Sequence, residues 1–126
     1  MNGWKLRVLP ERACGSASQA RFCRPLLYNL SMQFLSLSRR RTDAFPLESF
    51  TPELLAREGR RVRELYAMGI LRQVWKRGDL PGAAILWEAS CEAEVRAAIA
   101  SLPIFEAGLL EIPALVPLEP YPGFAN

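Results

Sequence analysis

Residues 69–89, GILRQVWKRGDLPGAAILWEA, read as two β-strands joined by a tight polar turn. Ile70 to Lys76 mixes β-branched, aromatic and long polar side chains, and Ala83 to Trp87 is a short apolar run. Between them Arg77-Gly78-Asp79-Leu80-Pro81-Gly82 supplies the Gly and Pro that end a strand and reverse the chain. Strict alternation along the first strand puts Arg72, Val74 and Lys76 on one face. It puts Leu71, Gln73 and Trp75 on the other.

Working outward, a helical pattern runs into this hairpin and another runs out of it. Thr51-Pro52-Glu53 has the makings of a helix start: a capping hydroxyl, a proline suited to the first turn, and a carboxylate at the positive end of the dipole. Leu54, Leu55, Val62, Leu65 and Tyr66 form its apolar stripe, and Gly69 is placed to stop it. After the hairpin, Ser90 is expected to cap a helix with stripe Val95, Ala98, Ile99 and Leu102, closed by Pro103. Met32 to Ser38 is a further strand, ended by Arg39-Arg40-Arg41. Ile104 to Gly108 is a connection. Leu109 to Leu118 is the last strand, and Pro113 and Pro117 mark it as an edge or a bulged one. Strand, helix, strand, strand, helix, strand is the α+β, ferredoxin-like βαββαβ unit: a four-stranded antiparallel sheet with two helices on one face. Large apolar groups on both sheet faces, with no further helix to cover the second, predict a symmetric homodimer or higher homo-oligomer.

The 126 residues suffice for one domain. Residues 1–31 differ from the rest. They hold five Lys or Arg against Glu11 alone, a net of +4, and show no sustained period. They are expected to be a disordered or non-native extension, with residues 32–126 as the folded domain. The other residues carry 11 Lys+Arg against 12 Asp+Glu, a net of −1. That removes most of the electrostatic case for a nucleic-acid partner, and none is expected. No apolar run approaches the ~20 residues that span a bilayer, so no membrane partner is expected. Cys14, Cys23 and Cys91 form no CxxC pair and the chain has no histidine. No metal and no cofactor is therefore expected. The odd cysteine count argues against a disulfide framework and fits a reducing, cytoplasmic location.

Two stretches carry a family likeness. Gly69-x-x-Arg72-x-x-Trp75-Lys76 is similar to a Gly-x-x-Arg-x-x-Trp-Arg run entering the second strand of the muconolactone isomerases. Leu102-Pro103-Ile104-Phe105 is similar to the Leu-Pro-Leu-Phe run closing their second helix. From residue 32 onward the chain thus resembles the muconolactone isomerase-like proteins of the dimeric α+β barrel superfamily. The resemblance implies a small isomerase that shifts a double bond in a lactone or other small carbonyl compound by proton transfer. It departs at Gln73, where those enzymes carry a histidine.

Such chemistry needs a base, an acid and a positive group for the enolate. Without histidine the base must be a carboxylate, and Glu88 or Glu111 is the expected one. Arg72 and Lys76 are the expected anion holders. Trp75, Gln73, Trp87 and Phe105 are expected to line a small-molecule site, with Ser36 and Ser38 bringing polar groups into it. Serine nucleophilic catalysis of the triad type is excluded. The alternative is a non-catalytic small-molecule-binding or stabilising protein of the same dimeric fold, because architecture alone does not decide function. A desolvated carboxylate in a closed pocket facing Arg72 or Lys76 would separate the two readings.

Overall fold

The structure, a computed structural model, describes residues 31–124. The expected extension over residues 1–31 therefore lies, apart from Ser31, outside the described residues. The elements run β1 (Met32–Arg40), α1 (Pro52–Ala67), β2 (Leu71–Lys76), β3 (Ala83–Ala89), α2 (Glu92–Ala100), α3 (Pro103–Glu106) and β4 (Leu110–Leu118). All pairings are antiparallel and the strand order is β2-β3-β1-β4, the ferredoxin-like arrangement. The expected fold class holds.

Local chemistry explains the boundaries. The Thr51 hydroxyl accepts from the Leu54 N–H at 3.1 Å and caps α1. Gly69 ends α1 at φ +82°, a conformation that favours glycine. The second helix departs from expectation. Its N-cap position is Cys91, and the Ser90 N–H is bound at 2.9 Å by the Glu94 carboxylate. The segment after Leu102 is a short helix rather than a plain connection, because Pro103 suits a first helical turn as well as it stops a preceding helix. β1 continues through Arg39 and Arg40, two residues past the expected end. The odd cysteine count argues against a disulfide framework, but Cys91, fully buried, is disulfide-bonded, so the count says nothing about compartment. No helix among the described residues is long and apolar enough to cross a membrane.

The core lies between one sheet face and the helices. Rows of cross-strand neighbours organise it. Leu71, Trp87, Phe34 and Pro117 form one row across the sheet, and Val74, Ile85, Ser36 and Leu115 form the next. Leu65 of α1 and Val95, Ala98 and Ile99 of α2 pack on them. Trp87 and Phe34 are completely buried, and truncating either to alanine is expected to cost about 3–5 kcal/mol. Two residues of the expected α1 stripe are not core: Tyr66 points largely into solvent and Leu55 is more than a third exposed.

Two bulges correct the facing read from alternation. In β2, Leu71 pairs with Trp87 but Gln73 pairs with Leu86, so one extra residue is accommodated at Arg72. Leu71 therefore shares the helix-covered face with Val74 and Lys76, while Arg72 joins Gln73 and Trp75 on the open face. In β4, Ala114 pairs with Leu37 and Glu111 with Arg39, leaving Ile112 and Pro113 opposite Ser38 alone. β4 is both an edge strand and bulged, as its prolines require.

Candidate functional site

Along the helix-covered face the cross-strand rows shrink from one end to the other. The Trp87–Phe34 row is filled by rings. The Ile85–Ser36 row has one small member, and the next brings Ala83 beside Ser38. Small side chains under a helical roof leave space, and a cavity of about 290 Å³ occupies it. That is near the lower end of the range for ligand sites, roughly 300–1,000 Å³. Ile85, Val74, Val62, Ile99, Leu102 and Ile104 give it apolar walls.

Glu58 is the carboxylate of this cavity. It projects from α1 and accepts a hydrogen bond from the Ile104 N–H at 2.9 Å. Pro103 has no N–H, so the Ile104 amide is the first donor this turn can offer. Burial pushes the Glu58 carboxyl above its ordinary value of 4.5. The Ile104 N–H and the Arg40 charge act in the opposite sense without cancelling it. One bond to a carboxylate oxygen leaves the rest of the group free to exchange a proton inside the cavity.

Two cations also belong to the lining, Arg40 at the end of β1, whose charge Glu58 feels, and Lys76 at the end of β2. The Arg40 guanidinium lies 5.5 Å from the centroid of the Phe50 ring, which holds it in place. Ser38 is committed to structure. Its hydroxyl accepts from the Ala83 N–H at 2.9 Å and lies 3.3 Å from the Ala83 carbonyl. Gly82 permits this approach, since a Cβ there would stand 2.1 Å from the Ser38 carbonyl oxygen. Ser36 accepts from the Trp87 Nε1–H at 2.8 Å, and both residues line the cavity.

Of the residues expected from sequence, the structure brings Ser36, Ser38, Trp75, Lys76 and Trp87 together around one cavity. Trp75 contributes to the lining from the edge strand, where its half-exposed side chain belongs to the open face. Arg72, Gln73 and Glu88 lie elsewhere, on the open sheet face. There Glu88 accepts from the Ser31 hydroxyl at 2.9 Å and faces the Arg72 Nε at 3.9 Å. Glu111 is paired with Arg39, also away from the cavity. Phe105 packs on the outside of the core. Sequence reasoning missed Glu58. Its signal was a charge at position 58, four residues from both Leu54 and Val62 and hence on the apolar stripe of α1. Among the described residues no group of three His, Cys, Asp or Glu side chains is arranged to hold a metal ion.

The muconolactone delta-isomerase family model matches residues 32–123, nearly the whole described region. The chain belongs to that family. No curated protein matches it significantly. In this muconolactone delta-isomerase family member, the Leu102-Pro103-Ile104 turn is more than a helix stop. It presents the amide that fixes the cavity carboxylate.

Proposed function

We propose that this protein isomerises a small lactone or related carbonyl compound by moving a proton within the substrate, with Glu58 as the group that takes and returns it. The observation that carries this reading is a desolvated carboxylate facing an apolar cavity that also holds Lys76 and Arg40. Abstraction of a C–H proton beside a carbonyl sends the bonding pair toward the carbonyl oxygen and leaves Glu58 neutral. Return of that proton to a different carbon completes the double-bond shift. A raised pKa suits both halves, since the group must be a competent base first and a competent acid second. Lys76 and Arg40 at the mouth hold an anionic substituent and so orient the substrate. Trp87 in the floor completes the proposed binding surface, and Trp75 borders it from the edge strand.

Family membership supports the reaction class, and the cavity supports its size limit. The open sheet face supports a homodimer. Leu35, Leu37, Leu86 and Val116 lie there partly or largely exposed, beside Trp75, which is 52% exposed. A second copy packed sheet to sheet would cover them and enclose Arg72, Gln73 and Glu88 at the interface. These three then serve assembly, or reach a site shared with the partner.

The test is proton NMR of small enol-lactones in deuterated buffer. Solvent deuterium entering the substrate, with migration of the double bond, is the expected result. Stoichiometric binding of the same lactones without exchange would favour the non-catalytic binding protein instead.

A further inference from the structure

Proton abstraction beside a carbonyl places negative charge on an oxygen, and the cavity contains a donor suited to it. Ser36 is 1% exposed, yet it lines the cavity floor. Its oxygen accepts from the Trp87 Nε1–H at 2.8 Å. Indole N–H is a donor only, so the direction of that bond is fixed. The Ser36 hydroxyl proton is therefore left to be donated, and no acceptor among the described residues takes it. A hydroxyl that already accepts one hydrogen bond is a better donor, and an apolar surround strengthens the bond it gives. Trp87 cannot turn away. It is completely buried between Leu71 and Phe34, its cross-strand neighbours.

We propose that the Ser36 hydroxyl is the oxyanion donor of this site, a catalytic group touching the enolate oxygen, and that Trp87 is the positioning residue that aims it. The proposal rests on the proton-transfer reading above and adds where the charge goes. Glu58 approaches the cavity from the helical layer and Ser36 from the sheet. A flat carbonyl compound between them presents its C–H to Glu58 and its oxygen to Ser36. The C–H pair moves into the ring to give a C=C bond while the carbonyl oxygen gains the charge. Ser36 keeps its own proton throughout and only shares it, so no serine alkoxide and no acyl intermediate forms. The ligand class recognised is a delocalised oxyanion attached to a planar unsaturated ring.

The test uses 4-nitrophenol, whose phenolate has that form and whose absorption reports its ionisation. Full-length protein, Ser36→Ala and Trp87→Phe are titrated with it, and all three are assayed for lactone deuterium exchange. The wild type is expected to bind the phenolate and to stabilise its ionised form. Ser36→Ala should weaken that binding by roughly tenfold or more. Its exchange kcat should fall by about 10²-fold with little change in KM. Trp87→Phe keeps the hydroxyl but frees its rotation, and should give a smaller loss in the same direction. Because the readout includes the bound phenolate spectrum, a purely structural role for the pair would not reproduce it. If Ser36→Ala fails to fold, Trp87→Phe decides. Absence of phenolate binding in the wild type, or equal binding in the folded variants, overturns the proposal. Phenolate binding lost in Ser36→Ala, without any lactone exchange by the wild type, upholds Ser36 as the oxyanion-binding donor but overturns its catalytic role together with the isomerase reading.

Discussion

Replacing Glu58 with glutamine isolates its protonation from its shape. Glutamine is nearly isosteric, and its carbonyl oxygen can still accept the Ile104 N–H that Glu58 accepts at 2.9 Å. What is lost is the ability to take a proton. General acid–base groups contribute about 10²–10⁴-fold to rate, or roughly 3–5 kcal/mol of barrier, and Glu58→Gln should lose that much in kcat. Glu58→Ala is the harsher control. It orphans the Ile104 N–H, at an added stability cost of about 1–3 kcal/mol. The pH dependence gives a second, independent sign. Burial raises the Glu58 pKa above 4.5. The base form therefore appears only as pH rises through that raised value, and the acid limb of the rate profile lies above the ordinary glutamate range. Stability runs the other way. In the window between 4.5 and the raised value the folded state holds more protons than the unfolded one. Stability then falls as pH rises through the window, and Glu58→Gln should abolish that fall. The assays are deuterium incorporation by NMR and urea unfolding across pH. A Glu58→Gln variant that exchanges deuterium at the wild-type rate refutes the assignment of the base. A wild type whose stability rises through the window, or a Glu58→Gln variant that keeps the fall, refutes the argument from burial.

Three further outcomes follow from the same geometry. Arg40 lowers the Glu58 pKa, so Arg40→Met should move the acid limb of the rate profile to higher pH and raise KM for anionic substrates; an unmoved limb would show that the charge is not felt. Leu35 and Leu86 are direct cross-strand neighbours on the open face, so the double variant Leu35→Lys/Leu86→Lys should run as a monomer in size-exclusion chromatography with light scattering. The unaltered chain should run as a dimer or larger assembly, and a monomeric wild type at micromolar concentration would remove the proposed interface. Gly82→Ala would place a Cβ 2.1 Å from the Ser38 carbonyl oxygen, and both atoms belong to backbone or its immediate branch, so the hairpin must shift. A loss of about 1–3 kcal/mol is expected, seen as a drop in Tm of roughly 5–20 °C; an unchanged Tm would mean the close approach carries no weight.

Much of the fold is legible in the sequence. Turn chemistry at Arg77–Gly82, the Thr51-Pro52-Glu53 start and the Gly69 stop each act locally, so reading residues in order recovers them. The cavity is a different matter. It exists because Ser36, Ser38 and Ala83 are small where their row-mates one step along the sheet are Phe34 and Trp87. Only the register between β1 and β3 brings those small groups side by side, and register is not a local property. Glu58 lies between these cases. Its place on the Leu54–Val62–Leu65 stripe could be computed from spacing alone, and a lone carboxylate on a buried stripe is the kind of conflict that marks a functional position.

The bulge at Arg72 bears most directly on how the family likeness is to be read. Alternation along Gly69-x-x-Arg72-x-x-Trp75-Lys76 groups Arg72 with Lys76 and leaves Gln73 with Trp75. One extra residue in β2 separates the two cations, sending Lys76 toward the cavity and Arg72 toward the open face. A single-residue slip reverses every side chain beyond it, so the motif spans two surfaces rather than lining one. Gln73, the position at which the related enzymes carry a histidine, then falls on the face that a partner subunit would cover. The substitution leaves the Glu58 carboxylate inside this chain's own cavity untouched, because Glu58 comes from α1. What it alters is the chemistry of the open face, where Gln73 stands beside the Arg72–Glu88 pair. The proposed proton-transfer site accordingly needs no histidine, because its carboxylate comes from the helix and its cations from the ends of β1 and β2 rather than from one strand motif.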